Sequence, residues 1–424
     1  MHAEIIAIGD EITSGQLLDT NTQWIAQRLE AMGIRVLYHS TVGDELEPGA
    51  QVFRQAIARA DVVISTGGLG PTADDLTREA LALATERELV VDAQALEYIR
   101  EMFARRWRAM PPQNERQAMF PSGSRVVRNP NGTAPGIDLE VARPAAGPCR
   151  VIALPGVPAE MKEMWYDSVA QTLRQLGGGQ RMIRHRLVKC FGAGESQIEA
   201  MLPDLIRRGR VPTVGITASD ATIILRIAAE GATEEQCHAA VEPTVATIRQ
   251  CLGTLVFGED DDELQDAVVR LLRQQNKTLA SVEWGTAGLV AQWLDGAADA
   301  DGYYLGGLVT GGNATLENLL GVEADLLARH PAVSSEIAAA MAIGCRQRFG
   351  ADYALAAGKF PEFDPSAPEP KPVYFALAGP KGVEVEKFPF TGHPALLKTL
   401  SAKRALNIVR LRLLGDGSAS PGPP

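Results

Sequence analysis

The sequence predicts a multi-domain α/β protein. Short apolar runs alternate with stretches of helical spacing from the first residues onward. Most runs close in a glycine- or proline-bearing turn. At 424 residues the chain exceeds what one core usually supports, so two or three domains are expected.

Ile5-Ile6-Ala7-Ile8 reads as a strand closed by Gly9-Asp10-Glu11. Asp19 or Thr20 caps a helix that turns Trp24, Ile25, Leu29 and Met32 to one side, and Gly33 ends it. A second strand over 36–40 leads into Thr41-Val42-Gly43-Asp44-Glu45, a helix follows over 48–58, and Asp61-Val62-Val63-Ile64 is a third strand. This βαβαβ order predicts a parallel sheet with helices on both faces. Right-handed crossovers bring the strand C-termini to one rim, where ligands of such sheets bind. Asp10, Asp44 and Asp75 all follow such ends.

The most informative stretch is Ser65-Thr66-Gly67-Gly68-Leu69-Gly70-Pro71-Thr72-Ala73-Asp74-Asp75-Leu76-Thr77. Its glycines permit a sharp turn and close approach of a ligand, and Asp74 is placed to cap the helix carrying Leu76, Ala80, Leu83 and Ala84. Strand, turn and helix start together suit a phosphate, and Asp75 adds the oxygen donor that hard cations prefer. The plainer reading is a tight turn with two capping acids. Three further loops line up with it: 110–118, Asn129-Pro130-Asn131-Gly132-Thr133-Ala134-Pro135-Gly136, and Pro155-Gly156-Val157-Pro158 after a strand over 151–154 and before a helix over 159–176.

A glycine break at 177–179 precedes an αβ module of about eighty residues, with strands over 185–190 and 221–228 and a long helix over 233–252. Its basic Arg207-Arg208-Gly209-Arg210 lacks interleaved aromatics and reads as a solvated loop. The acids at 259–263 read as a helix N-terminus rather than a metal site. A strand over 277–282 and helices over 264–274, 285–293, 334–349 and 396–414 complete the chain, and a Gly/Ser/Pro-rich tail over 415–424 is expected to be disordered.

Composition narrows the classes. Hydrophobic residues at 46% and a mean hydropathy of −0.04 describe a soluble globular chain. A net charge of −11 and a pI near 5.2 supply no footprint for nucleic acid. No apolar run reaches membrane-spanning length, and the opening residues lack the basic n-region of a signal peptide. Five scattered cysteines without metal-type spacing read as thiols of a reducing compartment, so a cytoplasmic location is expected.

With these motifs in hand, the sequence resembles the CinA (competence/damage-inducible protein A) family. The matching segments are Ile8-Gly9-Asp10-Glu11 with Gly15-Gln16 and Asp19-Thr20-Asn21, Val42-Gly43-Asp44, 66–77, 129–136, and 154–158 with Glu160-Met161-Lys162, in family order. The resemblance implies three parts. Residues 1–176 form a three-layer αβα domain similar to the molybdopterin-binding MoaB/Mog fold, 180–258 a KH-like domain with a Gly192–Ser196 turn, and 260–414 an α/β amidohydrolase-like domain. It further implies metal-dependent hydrolysis of ADP-ribose to AMP and ribose 5-phosphate by the first domain. The metal is divalent (magnesium, cobalt or nickel), with potassium as a possible activator, in a homodimer. Asp44 and Asp75 would be catalytic and hold the metal, with Asp10 or Glu11 in weaker support. Thr66, Gly67, Gly68, Gly70, Thr77, Gly132, Thr133, Pro155 and Gly156 would bind the nucleotide, and Lys162 reads equally as a phosphate contact or a surface lysine. The competing expectation is a non-catalytic nucleotide- or molybdopterin-binding regulator.

The last domain departs from its family's pattern. Glu283-Trp284-Gly285-Thr286-Ala287-Gly288 stands where the family's nicotinamide-nucleotide (NMN) deamidase has Glu-Ser-Cys-Thr-Gly-Gly, so Trp284 replaces the nucleophile. Gly311 falls at the tyrosine position and Leu316 at the lysine position. None of the three can attack, transfer a proton or carry charge. A retained fold without deamidase chemistry is expected.

Overall fold

A computed structural model describes residues 1–105, 107–144, 146–177, 182–202, 204–207, 209–365 and 368–417. The chain divides into two compact units: Met1–Arg184 with Ala229–Ala240, and His185–Ala228 with the chain from Val241 onward.

In the first unit the strands are β1 (His2–Ile8), β2 (Arg35–Val42), β3 (Val62–Thr66), β4 (Leu89–Val91), β5 (Met119–Pro121), β6 (Arg125–Val127), β7 (Gly136–Arg143) and β8 (Ala146–Leu154). Six of them form one sheet in the order β2-β1-β3-β8-β7-β6, while β4 and β5 pair separately. The first four are parallel, as the βαβαβ order predicts. β7 and β6 extend them antiparallel, which the sequence pattern did not announce.

Alternation along β3 explains its continuous apolar run. Val62 and Ile64 enter a cluster with Ile25, Leu29, Met161 and Trp165, while Val63 enters another with Phe53, Leu81 and Val151. Both faces of the strand are therefore buried. Glu4, buried in β1, is neutralised by Arg59 through two 2.7 Å bonds and accepts a third from Ser40. Helices over Thr20–Ala31 and Leu46–Arg59 match the expected ones, and Asp19 caps the former by accepting the Thr22 N–H at 3.0 Å. The helix expected over 159–176 runs as Pro158–Met164 and Ala170–Gln175, joined by a widened turn at Trp165–Val169.

A four-stranded sheet, most of it in the second unit, holds β9 (Met182–Cys190), β10 (Thr213–Ser219), β11 (Thr222–Gly231) and β12 (Val256–Glu259) in the order β10-β11-β9-β12, with residues 182–184 of β9 and 229–231 of β11 falling in the first unit. The larger sheet of the second unit holds β13 (Leu279–Glu283), β14 (Tyr304–Val309), β15 (Tyr353–Ala357), β16 (Pro372–Gly379) and β17 (Gly382–Pro389), ordered β14-β13-β15-β16-β17. Along β15, Leu355 and Ala357 face a cluster with the helix Pro394–Gly417, whereas Ala354 and Ala356 face the helix Ser335–Phe349. That final helix reaches Gly417, beyond the expected end at Leu414. The remainder of the expected disordered tail, Gly178–Gly179 of the expected break and Arg208 of the basic cluster lie outside the described residues.

Trp165 is 2% exposed and meets Trp24 edge-on at 5.7 Å. Trp165→Ala should lower the unfolding free energy of the first unit by about 3–5 kcal/mol, read by denaturant titration. A loss below about 1 kcal/mol would show that this core can close around the gap.

Candidate functional site

The rim of the first sheet is built around Gly67. Its N–H donates to the Leu154 carbonyl at 3.0 Å, which joins the ends of β3 and β8. Its φ is 107°, and a Cβ there would overlap the Ile8 carbonyl oxygen at the end of β1. Only glycine fits so close a crossing. Thr77 braces the turn from behind, its hydroxyl donating to the Gly67 carbonyl at 2.8 Å.

The loop that follows is closed by Asp75. Its Oδ1 accepts the Gly70 N–H at 2.8 Å; its Oδ2 accepts the Thr72 N–H at 2.8 Å and the Thr72 hydroxyl. Arg78 lies beneath, 1% exposed, and donates to the carbonyls of Leu69 and Gly70 at 2.6 and 3.3 Å. Burial pulls its guanidinium down to about 10. Arg116 donates to the Asp75 carbonyl at 3.2 Å and pairs with Glu79 at 2.7 Å.

A cavity of about 630 Å³ opens above this loop, a size suited to a nucleotide. It brings together Thr66, Gly67, Gly68, Gly70, Asp44, Asp75, Thr133, Pro155 and Gly156 from the residues the sequence singles out. Thr77, Gly132 and Asp10 stand behind this lining. Gly132 donates its N–H to Asn129 Oδ1 at 2.8 Å, and Asn129 in turn donates to Glu160 at 2.7 Å. Six carboxylates line the cavity (Glu11, Asp19, Asp44, Asp74, Asp75 and Glu160), with no lysine or arginine among the described lining residues.

Asp44 and Asp10 lock two strand ends reciprocally. Asp10 N–H donates to Asp44 Oδ2 at 3.0 Å, and Asp44 N–H donates to Asp10 Oδ1 at 3.1 Å. Burial raises the Asp44 carboxyl above its ordinary value, and the like charges of Asp10, Glu11 and Asp74 add to the rise, against the pull of the Asp10 N–H. Asn21 bridges Thr66 Oγ1 and the Gly156 carbonyl through its amide nitrogen at 3.1 and 2.8 Å, which leaves its Oδ1 buried without a partner.

One expectation needs correcting. Asp74 does not cap the helix, which starts at Thr77 with Leu76 at the cap position and no side-chain bond there. Asp75 lines the cavity with Asp44, and loop donors take both acceptor directions of its Oδ2 and one of Oδ1. The acids that bear on Asp44 are Asp10, Glu11 and Asp74. Asn21, Glu160 and the exposed Leu17 and Leu18 also line the cavity; Asn21 and Glu160 stand in segments that resemble the family, whereas no sequence signal singled out the two leucines.

Among the described residues no three His, Cys, Asp or Glu converge as a complete metal shell. The donor set still fits a magnesium-like ion, which takes one or two protein carboxylates and fills its other positions with water and substrate phosphate oxygens. Asp44, crowded by like charge, and the unpartnered Asn21 Oδ1 are such oxygen donors.

In the second unit, Trp284 packs partly buried against the core with Lys359 5.2 Å over its ring. Leu316 is 0% exposed within that core, and Gly311 is exposed. Glu283 is consumed by structure: it accepts from the Thr286 hydroxyl at 2.6 Å and from the N–H groups of Gly288, Val290 and Ala291. Thr286 is itself fully buried.

Fold and site together define a chain whose first domain is of the molybdopterin-binding type. Sequence models agree: a probable molybdopterin binding domain matches 4–175, the damage-inducible protein CinA KH domain 185–258, and the CinA C-terminal domain 261–413. A protein of Symbiobacterium thermophilum named "Putative competence-damage inducible protein" is 39% identical, with 98% of this chain and 99% of that one aligned. A "CinA-like protein" of Prochlorococcus marinus is 37% identical over 98% of this chain and 96% of its own. A solved structure of the protein CinA from Thermoplasma acidophilum is 35% identical, covers 40% of this chain and 96% of its own, and superposes with a TM-score of 0.37. The chain belongs to the CinA family. Among the described residues no helix is long and apolar enough to cross a membrane.

The Asp44 carboxyl is raised in the fold, so its ionised form weighs against folding. That penalty is absent below the unfolded carboxylate range and grows as pH rises through the folded value. Asp44→Asn, whose amide oxygen can still accept the Asp10 N–H, should therefore raise the melting temperature at neutral pH. The gain should shrink to nothing as pH falls below about 4. An equal shift at every pH would mean that charge is not its cause.

Proposed function

We propose that the first unit hydrolyses a nucleotide pyrophosphate, ADP-ribose to AMP and ribose 5-phosphate, with a divalent cation (magnesium, cobalt or nickel) and potassium as activator. One observation carries this reading: a nucleotide-sized cavity with a glycine turn at its floor, carboxylates around it and no basic residue described in its lining. A pyrophosphate entering alone would meet like charge from every side. Entering with cations, it finds carboxylates that suit them.

Asp44 and the neighbouring Glu11 and Asp74 would hold the cation, with Asn21 Oδ1 as a further oxygen donor. A divalent ion bound there supplies charge neutralisation on the pyrophosphate and lowers the pKa of water. The backbone at Gly67, Gly68 and Gly70 orients the phosphate. Asp75 is a positioning residue: it shapes the loop that does the orienting. In the second unit we propose that deamidase chemistry is absent, because Trp284, Gly311 and Leu316 offer neither nucleophile nor proton carrier.

The molybdopterin-type match of residues 4–175 favours a second reading: binding of a nucleotide or pterin without turnover. An ADP-ribose assay over magnesium, cobalt and nickel, with and without potassium, separates the two. Wild type should form AMP. Asp44→Asn should lose roughly a hundredfold or more in kcat, whereas Asp75→Ala should raise KM about tenfold through a loosened loop. Saturable binding with no AMP under any metal would establish the binder instead. Incubation with NMN should yield no nicotinic acid mononucleotide, and its formation would refute the argument from Trp284.

A further inference from the structure

A second cavity, of about 380 Å³, lies within the second unit, where β9 and the β10–β11 turn meet the helices Leu264–Gln275 and Pro394–Gly417. Two ammonium groups line it almost out of water: Lys189 and Lys403 are each 7% exposed. An ammonium carries three N–H donors. Lys189 donates one to Glu263 Oε1 at 2.7 Å. Lys403 donates one to Thr222 Oγ1 at 2.7 Å and stands 3.7 Å from Glu263 Oε2. These are the side-chain partners of the two groups among the described residues.

One carboxylate thus serves two buried cations. Glu263 has other work as well, since it caps the helix Leu264–Gln275 in a reciprocal pair with Asp266. Asp220 contributes charge from an exposed turn, at a distance that leaves it out of hydrogen bonding. Even so, burial outweighs both acids and lowers the Lys403 ammonium below its ordinary value. A purely structural ion network would match its charges and use its donors. Here cations outnumber the close carboxylate and retain donors beside an open volume, an arrangement that is costly unless a further anion completes it.

We propose that this cavity binds a small oxyanion, a phosphate or carboxylate headgroup bridging Lys189 and Lys403. Trp293, also in the lining, gives a flat apolar wall for whatever the headgroup carries.

Isothermal titration of the full chain with inorganic phosphate and with citrate, at low salt, tests this. Saturable binding is expected, weakened at least tenfold by Lys189→Met and by Lys403→Met, with melts confirming that each variant folds. Preference for one titrant identifies the headgroup. Glu263→Gln should act oppositely, tightening binding roughly tenfold, because it removes the competing charge while keeping an oxygen to cap the helix. If a lysine variant fails to fold, Glu263→Gln carries the test by itself. The proposal is overturned if neither anion binds wild type in the millimolar range. It also falls if binding persists unchanged in the double lysine variant, which would place the anion elsewhere, or if Glu263→Gln leaves affinity unchanged.

Discussion

The rim of the first unit depends on how closely backbones meet at Gly67. The Ile8 carbonyl occupies the space a side chain would need, and the Leu154 carbonyl holds the Gly67 N–H. On the far side, the Gly9 N–H donates to the Val42 carbonyl at 3.1 Å. Four strand ends are thereby tied by backbone contacts alone, before any functional side chain is considered. Whatever those ends carry is placed by rigid elements rather than by loops, and a binding constellation needs that rigidity. A Cβ at Gly67 would push β1 from β3 and move Asp10 and Asp44 together, since they are bonded to one another.

The glycine loop is held by a different device. Its carbonyls point down to Arg78 and Arg116, and its N–H groups at Gly70 and Thr72 turn inward to Asp75. A buried guanidinium with Nε left unpartnered is an expensive foundation. It is tolerated because the same group satisfies two carbonyls that the tight turn would otherwise strand. Asp75 and Arg78 therefore form one unit of structure, three residues apart, serving opposite sides of the loop.

This division of labour explains which parts of the site were legible in the sequence. The strands over 5–8 and 61–64 were plain from β-branched apolar runs, and Asp19 was a cap by residue type and position. The convergence of Asp44 and Asp75 on one cavity followed from topology. What each carboxylate does there was not legible. Residue type makes Asp74 and Asp75 equivalent candidates for cap or ligand; only the path of the loop decides that Asp75 turns inward and that neither caps the helix at Thr77. Likewise β6 and β7 carry the apolar pattern of any strand, and their antiparallel sense is a property of pairing that no local window contains. Nothing in the sequence singles out Lys189 and Lys403, since lysine is seldom buried. Their burial depends on β9 and the final helix meeting, 214 positions apart in the chain (403 − 189).

The two cavities are electrostatic opposites, and the contrast has one physical origin. In each, burial takes a charged group out of water. Around Asp44 burial raises the carboxyl and the like charges of Asp10, Glu11 and Asp74 add to the rise; around Lys403 burial lowers the ammonium against the pull of Glu263 and Asp220. Neither shift strengthens the fold, because each records a charged form that folding disfavours. Arg150 shows what a purely structural pair looks like in the same chain: bonded through two nitrogens to Asp138, it is held above its ordinary value. On the two proposals made above, a cation would complete the first cavity and an oxyanion the second, and in each case the arriving charge would offset the cost that burial imposes.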